Sequence, residues 1–365
     1  MAAQQVAARS HESPVTRHVM RWGDRTVRTN GCSRRFIRTR LAALTLALLL
    51  GAAVLLGSPA QAAWVSEQIT DLGFDCIYPS LHNGQIAFKG DAGNGIWFWD
   101  GTHVGGSPTP AVQVDTSGSH PKLYDGAIAY EISNGTWYWP GSGAPQYILA
   151  GRWPDLHDDK IAYVTSGSGY DIKLWDGVSS QTVANSSLHE RDPDLYGSHV
   201  AYMATATLNQ NRDIYFWDGS THQITNTPGL DELYPSVYDG QLAWIGHDGN
   251  DYEIFFRTDA LNPATQIQIT NNPYDDEHTT VWEGKVAWQY WDGNDWEIMF
   301  WNGSSIEQVT DNDLDDIHPN LHGGMIAYTR PIGAHYQIML ARIPEPSLLA
   351  LSALGLLALL RRRKR

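Results

Sequence analysis

The stretch Pro235-Ser236-Val237-Tyr238-Asp239-Gly240-Gln241-Leu242-Ala243-Trp244 decides the fold, because variants of it occur seven times along the chain. Each copy has a proline, an apolar residue two positions later, a turn containing Gly or Asp, and an alanine eight positions after the proline. The pairs are Pro79 with Ala87, Pro121 with Ala129, Pro154 with Ala162, Pro193 with Ala201, Pro235 with Ala243, Thr279 with Ala287, and Pro319 with Ala327. Thr279 alone replaces the proline, and successive alanines lie 33 to 44 residues apart. This period is typical of four-stranded propeller blades.

Each repeat predicts four short strands, which we name a to d. Strand a contains the proline, and strand b has the form Leu242-Ala243-Trp244. Strand c is apolar on both faces, as in Ile214-Tyr215-Phe216-Trp217, and strand d ends in a segment such as Gln223-Ile224-Thr225. Asp-Gly pairs such as Asp239-Gly240 supply the positive φ angles that tight hairpins need. We therefore predict an all-β fold, a seven-bladed β-propeller of four-stranded antiparallel blades.

The last repeat lacks a fourth strand, which predicts how the ring closes. Strand c of blade seven reads Gln337-Ile338-Met339-Leu340, and the chain then enters a different kind of segment at Pro344. Residues 65–70, Val-Ser-Glu-Gln-Ile-Thr, match the strand-d segments and precede the first strand a. We predict that this N-terminal segment supplies the outer strand of the last blade, which leaves no open sheet edge.

Two of the turns between strands b and c carry a family resemblance. Residues 248–255, Asp-Gly-Asn-Asp-Tyr-Glu-Ile-Phe, and residues 292–299, Asp-Gly-Asn-Asp-Trp-Glu-Ile-Met, resemble the Asp-Gly-Asn-x-Glu-Ile-Tyr stretch of TolB-type propeller repeats. The resemblance implies the propeller fold. It does not imply an activity, because such propellers occur in binding proteins, protease domains and lyases alike.

The N-terminal segment predicts export. A basic, arginine-rich stretch is followed by an apolar run from Leu41 to Leu56, and then by Ala60-Gln61-Ala62. These three parts are typical of a secretory signal peptide. We predict a signal peptide over residues 1–62, cleaved by signal peptidase between Ala62 and Ala63, with an uncleaved membrane anchor as the alternative.

The C-terminal segment predicts a sorting signal. Pro344-Glu345-Pro346 precedes an apolar run, 348–360, and the chain ends in Arg361-Arg362-Arg363-Lys364-Arg365. Residues 344–365 resemble the PEP-CTERM sorting signal. The resemblance implies processing by an exosortase and a short transmembrane helix that contacts the membrane until then. A plain tail anchor is the alternative. The propeller would then occupy residues 63–343, in a protein located in the cell envelope or outside the cell.

The charge of the propeller segment excludes one class of partner. Residues 63–343 contain 37 of the 40 acidic residues but only 11 of the 25 basic ones. Nucleic-acid phosphates need a basic surface, so we predict no nucleic-acid binding. Cations or basic partners are more compatible with this charge. Cys76 is the only cysteine in the segment, so no internal disulfide is possible.

Acidic residues concentrate on one predicted face of the propeller. Strand direction alternates within a blade, so the turns between strands b and c lie on the same face as the loops between strand d and the next strand a. A possible cation site on this face, for Ca²⁺ in particular, would use carboxylates, which hard cations prefer. The candidate ligands are Asp248, Asp251, Asp275, Asp276, Asp292, Asp295, Asp315 and Asp316. Solubility and turn formation are the alternative role for these residues.

Histidines recur at two positions of the repeat. His120, His278 and His318 directly precede the strand-a proline or its threonine equivalent, and His82, His157 and His322 follow it by three positions. Imidazoles can bind transition metals, but aromatic residues fill the same positions elsewhere, which favours a packing role. No nucleophile elbow, zinc-binding helix or phosphate loop is found.

We therefore expect a non-catalytic binding module that recognises a protein, a glycan or cations through its acidic face. A secreted lyase-like carbohydrate-active enzyme with a cation-supported site is one alternative. A structural component of an exopolysaccharide matrix is the other.

Overall fold

The computed structural model describes residues 64–165, 169–206 and 211–342. These residues form seven four-stranded antiparallel sheets, as the repeat predicts. The predicted signal peptide and sorting signal, with the helices expected in them, lie outside the described residues. Within the described part of the chain no helix is long and apolar enough to span a membrane.

Strands a to d follow one another in every blade, with the outer strand of blade seven taken from the start of the described chain. Blade one comprises Cys76–His82, Gln85–Gly90, Gly95–Trp99 and Val112–Asp115. Blade two comprises Ser119–Tyr124, Ala127–Ile132, Gly135–Trp139 and Gln146–Ala150. Blade three comprises Arg152–His157, Lys160–Val164, Ile172–Trp175 and Ser180–Ala184. Blades four and five comprise His189–Tyr196, His199–Thr205, Asp213–Trp217 and Thr221–Gln223; and Glu232–Tyr238, Gln241–His247, Tyr252–Arg257 and Gln266–Gln268. Blades six and seven comprise Asp276–Trp282, Lys285–Trp291, Trp296–Trp301 and Ile306–Gln308; and Ile317–His322, Met325–Ile332, His335–Arg342 and Val65–Gln68. A small hairpin, His103–Val104 with Ser107–Pro108, and a 3₁₀ turn, Pro263–Thr265, complete the described elements.

The N-terminal strand closes the ring, which confirms the prediction from the repeat. Val65–Gln68 pairs antiparallel with the last strand, with Val65 opposite Arg342 and Gln68 opposite Met339. The backbone N–H of Ile69 then donates to the carbonyl of Ile338 at 2.8 Å. Ile69 is buried in an apolar cluster that spans blades seven and one.

The recurrent threonine at the end of strand d has a structural role. The hydroxyl oxygens of Thr70, Thr225, Thr270 and Thr310 each accept a hydrogen bond from a strand-c backbone N–H, at 2.8–2.9 Å. All four threonines are buried. A buried N–H without a partner is costly, so the Gln-Ile-Thr motif stabilises the point where strand d leaves the ladder.

The recurrent proline marks a bulge in strand a. In all seven blades the pairing of strands a and b shifts register across the proline or Thr279 and the residue before it. Proline has no N–H to donate, so within a sheet it is tolerated at such bulges. The residue before the bulge proline thereby turns toward the central channel.

Candidate functional site

One side chain from each blade surrounds one end of the central channel. We call this set the channel mouth, and its members are Tyr78, His120, Trp153, Asp192, Tyr234, His278 and His318. All seven have positive φ angles, between 46° and 56°. This backbone conformation costs a non-glycine residue roughly 1 kcal/mol. The bulge in each blade imposes it, and the result is a rim of side chains held in fixed directions.

The channel mouth has an aromatic half. The rings of Tyr234 and His278 lie 5.4 Å apart between centroids, those of His278 and His318 lie 4.9 Å apart, and those of His318 and Tyr78 lie 4.3 Å apart. Tyr78 and Tyr234 are 44% and 42% exposed, respectively, so part of each ring remains open to a ligand. The sequence has three histidines at this position of the repeat, and the structure brings two of them, His278 and His318, into contact.

The other half of the channel mouth consists of His120, Trp153 and Asp192, and two arginines lie beside it. The guanidinium groups of Arg152 and Arg191 lie 4.6 and 5.3 Å from the centre of the Trp153 ring. Asp192 occupies the neighbouring rim position. The two halves differ because the rim residue differs from blade to blade while the backbone does not.

A cavity of about 270 Å³ lies inside the channel mouth. Its inner wall is polar and includes Ser80, Lys122, Asp194, Ser236, Thr280 and Asn320. The Lys122 ammonium lies 3.2 Å from Asp155 and 3.9 Å from Asp194. Burial raises the pKa of the Asp194 carboxyl to about 7. Several of these groups also join neighbouring blades, as when the backbone N–H of Leu123 donates to the Ser80 hydroxyl at 2.9 Å.

A closed belt of aromatic rings lies at the other end of strand a. Neighbouring rings are 3.7–4.6 Å apart around the whole circle. The belt consists of His82, Tyr124, His157, Tyr196, Tyr238, Trp282 and His322. The Nδ1 atoms of its three histidines each accept a hydrogen bond from a backbone N–H of the next blade, at 3.0–3.2 Å. This arrangement gives these histidines a structural role in joining blades.

The histidines of the channel mouth are poor proton acceptors. Burial lowers the pKa of His278 to about 4, and burial together with the nearby His278 lowers the pKa of His318 to about 3. Both imidazoles are therefore neutral in the folded protein at neutral pH, and their rings can stack or hydrogen-bond without carrying charge.

This burial predicts an acid-sensitive contribution to stability. Below pH 6.5, the ordinary pKa of histidine, the unfolded chain binds protons that folded His278 and His318 refuse until pH falls to about 4 and 3. Protons then favour unfolding, so the stabilisation associated with the two neutral imidazoles is complete above pH 6.5 and is lost as pH falls. We expect the double variant, with His278→Gln and His318→Gln together, to lose less free energy of unfolding than the wild type between pH 7 and pH 5.

Urea unfolding midpoints at the two pH values measure this difference. Buried carboxyls with raised pKa values act in the opposite direction in both proteins, so the comparison isolates the imidazoles. His222→Gln, on the outer strand of blade four, controls for the substitution itself. An identical pH dependence in the double variant and the wild type would contradict the assignment.

The structure gives Asp275 and Asp315 partners in the backbone. Asp275 Oδ1 accepts from the N–H of Tyr252 at 3.1 Å, and Asp315 Oδ1 accepts from the N–H of Trp296 at 3.2 Å. Asp75 and Asp231 make the equivalent bonds in other blades, to Tyr336 and Arg212, respectively. These loop acids therefore connect each loop to the preceding blade's strand c.

Asp276 and Asp316 are fully buried between blades. Asp276 accepts hydrogen bonds from Asn272 Nδ2 at 2.7 Å and from the Trp288 indole N–H, and burial raises the pKa of its carboxyl to about 8. Asp316 accepts from Arg330 Nε at 2.7 Å and Nη2 at 2.6 Å. The carboxyl groups of both residues are thus hydrogen-bonded within the protein.

The remaining candidates lie in the turns between strands b and c. Asp248 Oδ1 and Asp292 Oδ1 each accept from the backbone N–H two residues later, at 2.8 Å. Asp248 and Asp251 converge with Glu253, and one carboxylate oxygen from each lies within 4.8 Å of the others. Asp292 and Asp295 are not brought into a comparable group among the described residues. Sequence reasoning had not selected Glu253, although its fixed place in the repeated Asp-Gly-Asn-Asp-x-Glu stretch was a usable signal.

The arrangement nearest to a hydrolytic triad involves Ser119, His120 and Glu131. Ser119 Oγ lies 3.0 Å from His120 Nδ1, and a Glu131 oxygen lies 3.8 Å from the same nitrogen. A serine–histidine–acid relay needs the serine and the acid on opposite ring nitrogens. Both groups approach Nδ1 here, so this trio is not arranged as such a relay.

The geometry defines a seven-bladed propeller with a cavity at its channel mouth, and sequence comparison adds information on export and processing. Residues 342–365 match the PEP-CTERM protein-sorting motif. This motif implies export, transient membrane anchoring and processing by an exosortase. Among curated proteins no sequence relative was found.

Solved structures with the same architecture include several propellers. The β-propeller domain of the trilobed protease from Pyrococcus furiosus, described as having an open velcro topology, is 12% identical, with a TM-score of 0.57, over 74% of this chain and 96% of its own. A virginiamycin B lyase from Staphylococcus aureus is 15% identical, with a TM-score of 0.54, over 76% and 99%. TolB from Acinetobacter baumannii is 18% identical, with a TM-score of 0.43, over 60% and 63%. At these identities the similarity concerns the fold alone.

Proposed function

We propose that this exported propeller is a non-catalytic binding module, and that the end of a glycan chain is its ligand. The ligand enters the channel mouth, on the face that carries the acidic loops. The observation that carries this proposal is the rim of seven side chains, one from each blade, held by the same bulge around a cavity of about 270 Å³.

The chemistry of the channel mouth suits a sugar residue. Ligand sites typically combine apolar and aromatic walls with a few placed polar groups. The exposed faces of Tyr78 and Tyr234 can cover the apolar face of a pyranose ring, while Lys122, Ser236 and Asn320 offer hydrogen-bond partners deeper in the cavity. The cavity is slightly smaller than the ~300 Å³ at the lower end of ordinary ligand sites. It therefore suits a chain end more than a whole oligosaccharide.

The neutral histidines also suit a binding role. His278 and His318 stay uncharged at neutral pH, and the trio around His120 does not form a relay. The alternative of a lyase would require one of these groups to act as a general base within reach of a substrate proton. Product analysis separates the two functions, because only a lyase would cleave the sugar.

Isothermal titration and product analysis with cellohexaose, chitohexaose, maltohexaose and a hyaluronan hexasaccharide test the proposal. We expect saturable binding of at least one of them without turnover. Tyr78→Ala and Tyr234→Ala should each weaken binding about tenfold, because a stacked aromatic ring contributes roughly 0.5–1.5 kcal/mol or more beyond its buried area. Both tyrosines are exposed, so the substitutions should leave the fold intact.

Tyr147→Ala is the matched control, since Tyr147 is a 54% exposed tyrosine on the outer strand of blade two. It should bind as the wild type does. Equal binding by all three variants would show that the ligand does not bind at the channel mouth. Turnover would favour the lyase, and an absence of binding to all four sugars would contradict the glycan proposal.

A further inference from the structure

Two turns of nearly identical sequence differ in the hydrogen-bond partners of their glutamates. Residues 248–253 and 292–297 both read Asp-Gly-Asn-Asp-aromatic-Glu, in blades five and six. The first aspartate of each accepts the same 2.8 Å hydrogen bond from the asparagine N–H. Both glutamates are fully buried. The two turns therefore share this hydrogen bond, and their glutamates differ in the other partners that they meet.

In blade six the buried acids have protein partners. Glu297 Oε1 accepts from the backbone N–H of Asn312 at 2.6 Å, and Oε2 accepts from Asn312 Nδ2 at 3.4 Å. Asp316, at the same blade interface, receives two hydrogen bonds from the guanidinium of Arg330. A side-chain cation thus balances the carboxylates between blades six and seven.

Blade five lacks two of these partners, the amide bond to the second glutamate oxygen and the arginine. Glu253 Oε1 accepts from the backbone N–H of Asn272 at 2.8 Å, but Glu253 Oε2 is buried with no hydrogen-bond partner. Tyr290 takes the place of Arg330 in the repeat. Within residues 64–165, 169–206 and 211–342 no ion pair to Glu253 or Asp276 is found. A buried carboxylate oxygen without a partner is costly, and a cation bound at Glu253 Oε2 would remove that cost.

The surrounding carboxylates have the spacing that one ion requires. Oxygens of Asp248, Asp251 and Glu253 all lie within 4.8 Å of one another. Ca²⁺ binds oxygens at 2.3–2.6 Å, so two of its ligands can be at most about 5 Å apart. The spacing is therefore compatible with one ion contacting all three side chains.

The position is also open enough to complete a coordination shell. Asp248 is exposed, which provides a path of entry. A polar cleft lined by Asn250, Asn271, Asn272 and Asp275 adjoins Asp251. Ca²⁺ takes six to eight oxygen ligands in flexible geometry, and waters in this cleft can supply those that the three carboxylates do not.

We propose that Asp248, Asp251 and Glu253 form a Ca²⁺ site at the turn between strands b and c of blade five. The ion balances the buried Glu253 carboxylate, as Arg330 balances Asp316 one blade further on. The site shares no residue with the channel mouth, so it does not depend on glycan binding.

Calorimetric titration of the EDTA-treated full chain with CaCl₂ tests the site, together with thermal unfolding. We expect saturable binding of one ion, and a rise in melting temperature that EDTA reverses. Glu253→Gln and Asp248→Asn should each weaken Ca²⁺ binding at least about tenfold, because Ca²⁺ affinity depends on the number of charged ligands. Asp248 is exposed, so Asp248→Asn remains informative if Glu253→Gln fails to fold.

Glu297→Gln is the matched control, since it is the same change in the same turn sequence at a glutamate whose oxygens already have partners. It should bind Ca²⁺ as the wild type does. An unchanged melting curve at millimolar Ca²⁺ would overturn the proposal, as would unaltered binding by Asp248→Asn and Glu253→Gln. Equal loss in Glu297→Gln would also overturn it, and an equally strong response to Mg²⁺ would overturn the assignment to Ca²⁺.

Discussion

A chain that begins at Asp71 should be much less stable than one that begins at Ala63, because it lacks the strand that closes the ring. The deletion removes four ladder pairs with the last strand, the buried Ile69 side chain and the hydrogen bond from Ile338 N–H to Thr70 Oγ1. It also removes Trp64, whose ring packs edge-to-face on Phe300 at 5.3 Å. We expect a loss of about 5 kcal/mol in the free energy of unfolding, from roughly 2 kcal/mol for Ile69 and about 1 kcal/mol for each of several hydrogen bonds.

Urea and thermal unfolding of the two chains measure this loss. For a domain of this size we expect a fall in melting temperature of roughly 10–20 °C. The strand His335–Arg342 would become an open edge, so the shorter chain should also aggregate more readily. A synthetic peptide of residues 64–72 added in trans should restore part of the stability by strand addition. Equal stability of the two chains would contradict the role of closure.

Arg330→Met should destabilise the protein by about 3–5 kcal/mol, because it leaves the carboxylate of Asp316 buried without its cation. Asp316 is fully buried, and Arg330 makes two hydrogen bonds to it from a side chain that is only 18% exposed. Removing one partner of such a pair costs far more than the pair itself contributes.

Arg342→Met is the control for Arg330→Met. The Arg342–Glu67 pair has a similar distance, 2.8 Å, but its side chains are 47% and 30% exposed. Exposed pairs contribute about 0–1 kcal/mol. Adding Asp316→Asn to Arg330→Met should recover part of the loss, since the buried charge is then gone. A cost below about 1 kcal/mol for Arg330→Met, measured by urea unfolding at pH 7, would contradict the interpretation.

Export and processing depend on the segments at the two ends of the chain. The match over residues 342–365 supports the sorting signal that Pro344-Glu345-Pro346 and the basic tail predicted. Signal-peptide cleavage between Ala62 and Ala63 stays a prediction, as do the boundaries of the segments at either end of the propeller.

The amino-acid sequence by itself determined the number of blades, their four-stranded form and the closure by residues 65–70. These features depend on local chemistry that each repeat carries. The proline occupies a bulge because it cannot donate a hydrogen bond, and the threonine of Gln-Ile-Thr accepts one from strand c. The Asp-Gly pairs form the turns. Such signals recur at a constant spacing, so they can be recognised without knowledge of which residues meet in space.

Only the tertiary structure decided which polar groups have partners. Glu253 and Glu297 lie in almost the same local sequence, yet Asn312 satisfies both oxygens of Glu297 and one oxygen of Glu253 is left unpaired. The difference depends on where a loop asparagine points, because Asn312 Nδ2 reaches Glu297 whereas Asn272 Nδ2 bonds Asp276. The channel mouth likewise takes one residue from each of seven blades, 33 to 44 residues apart along the chain. The aromatic group of Tyr234, His278, His318 and Tyr78 exists because the ring brings those positions together, and no single repeat contains enough of the site to reveal it.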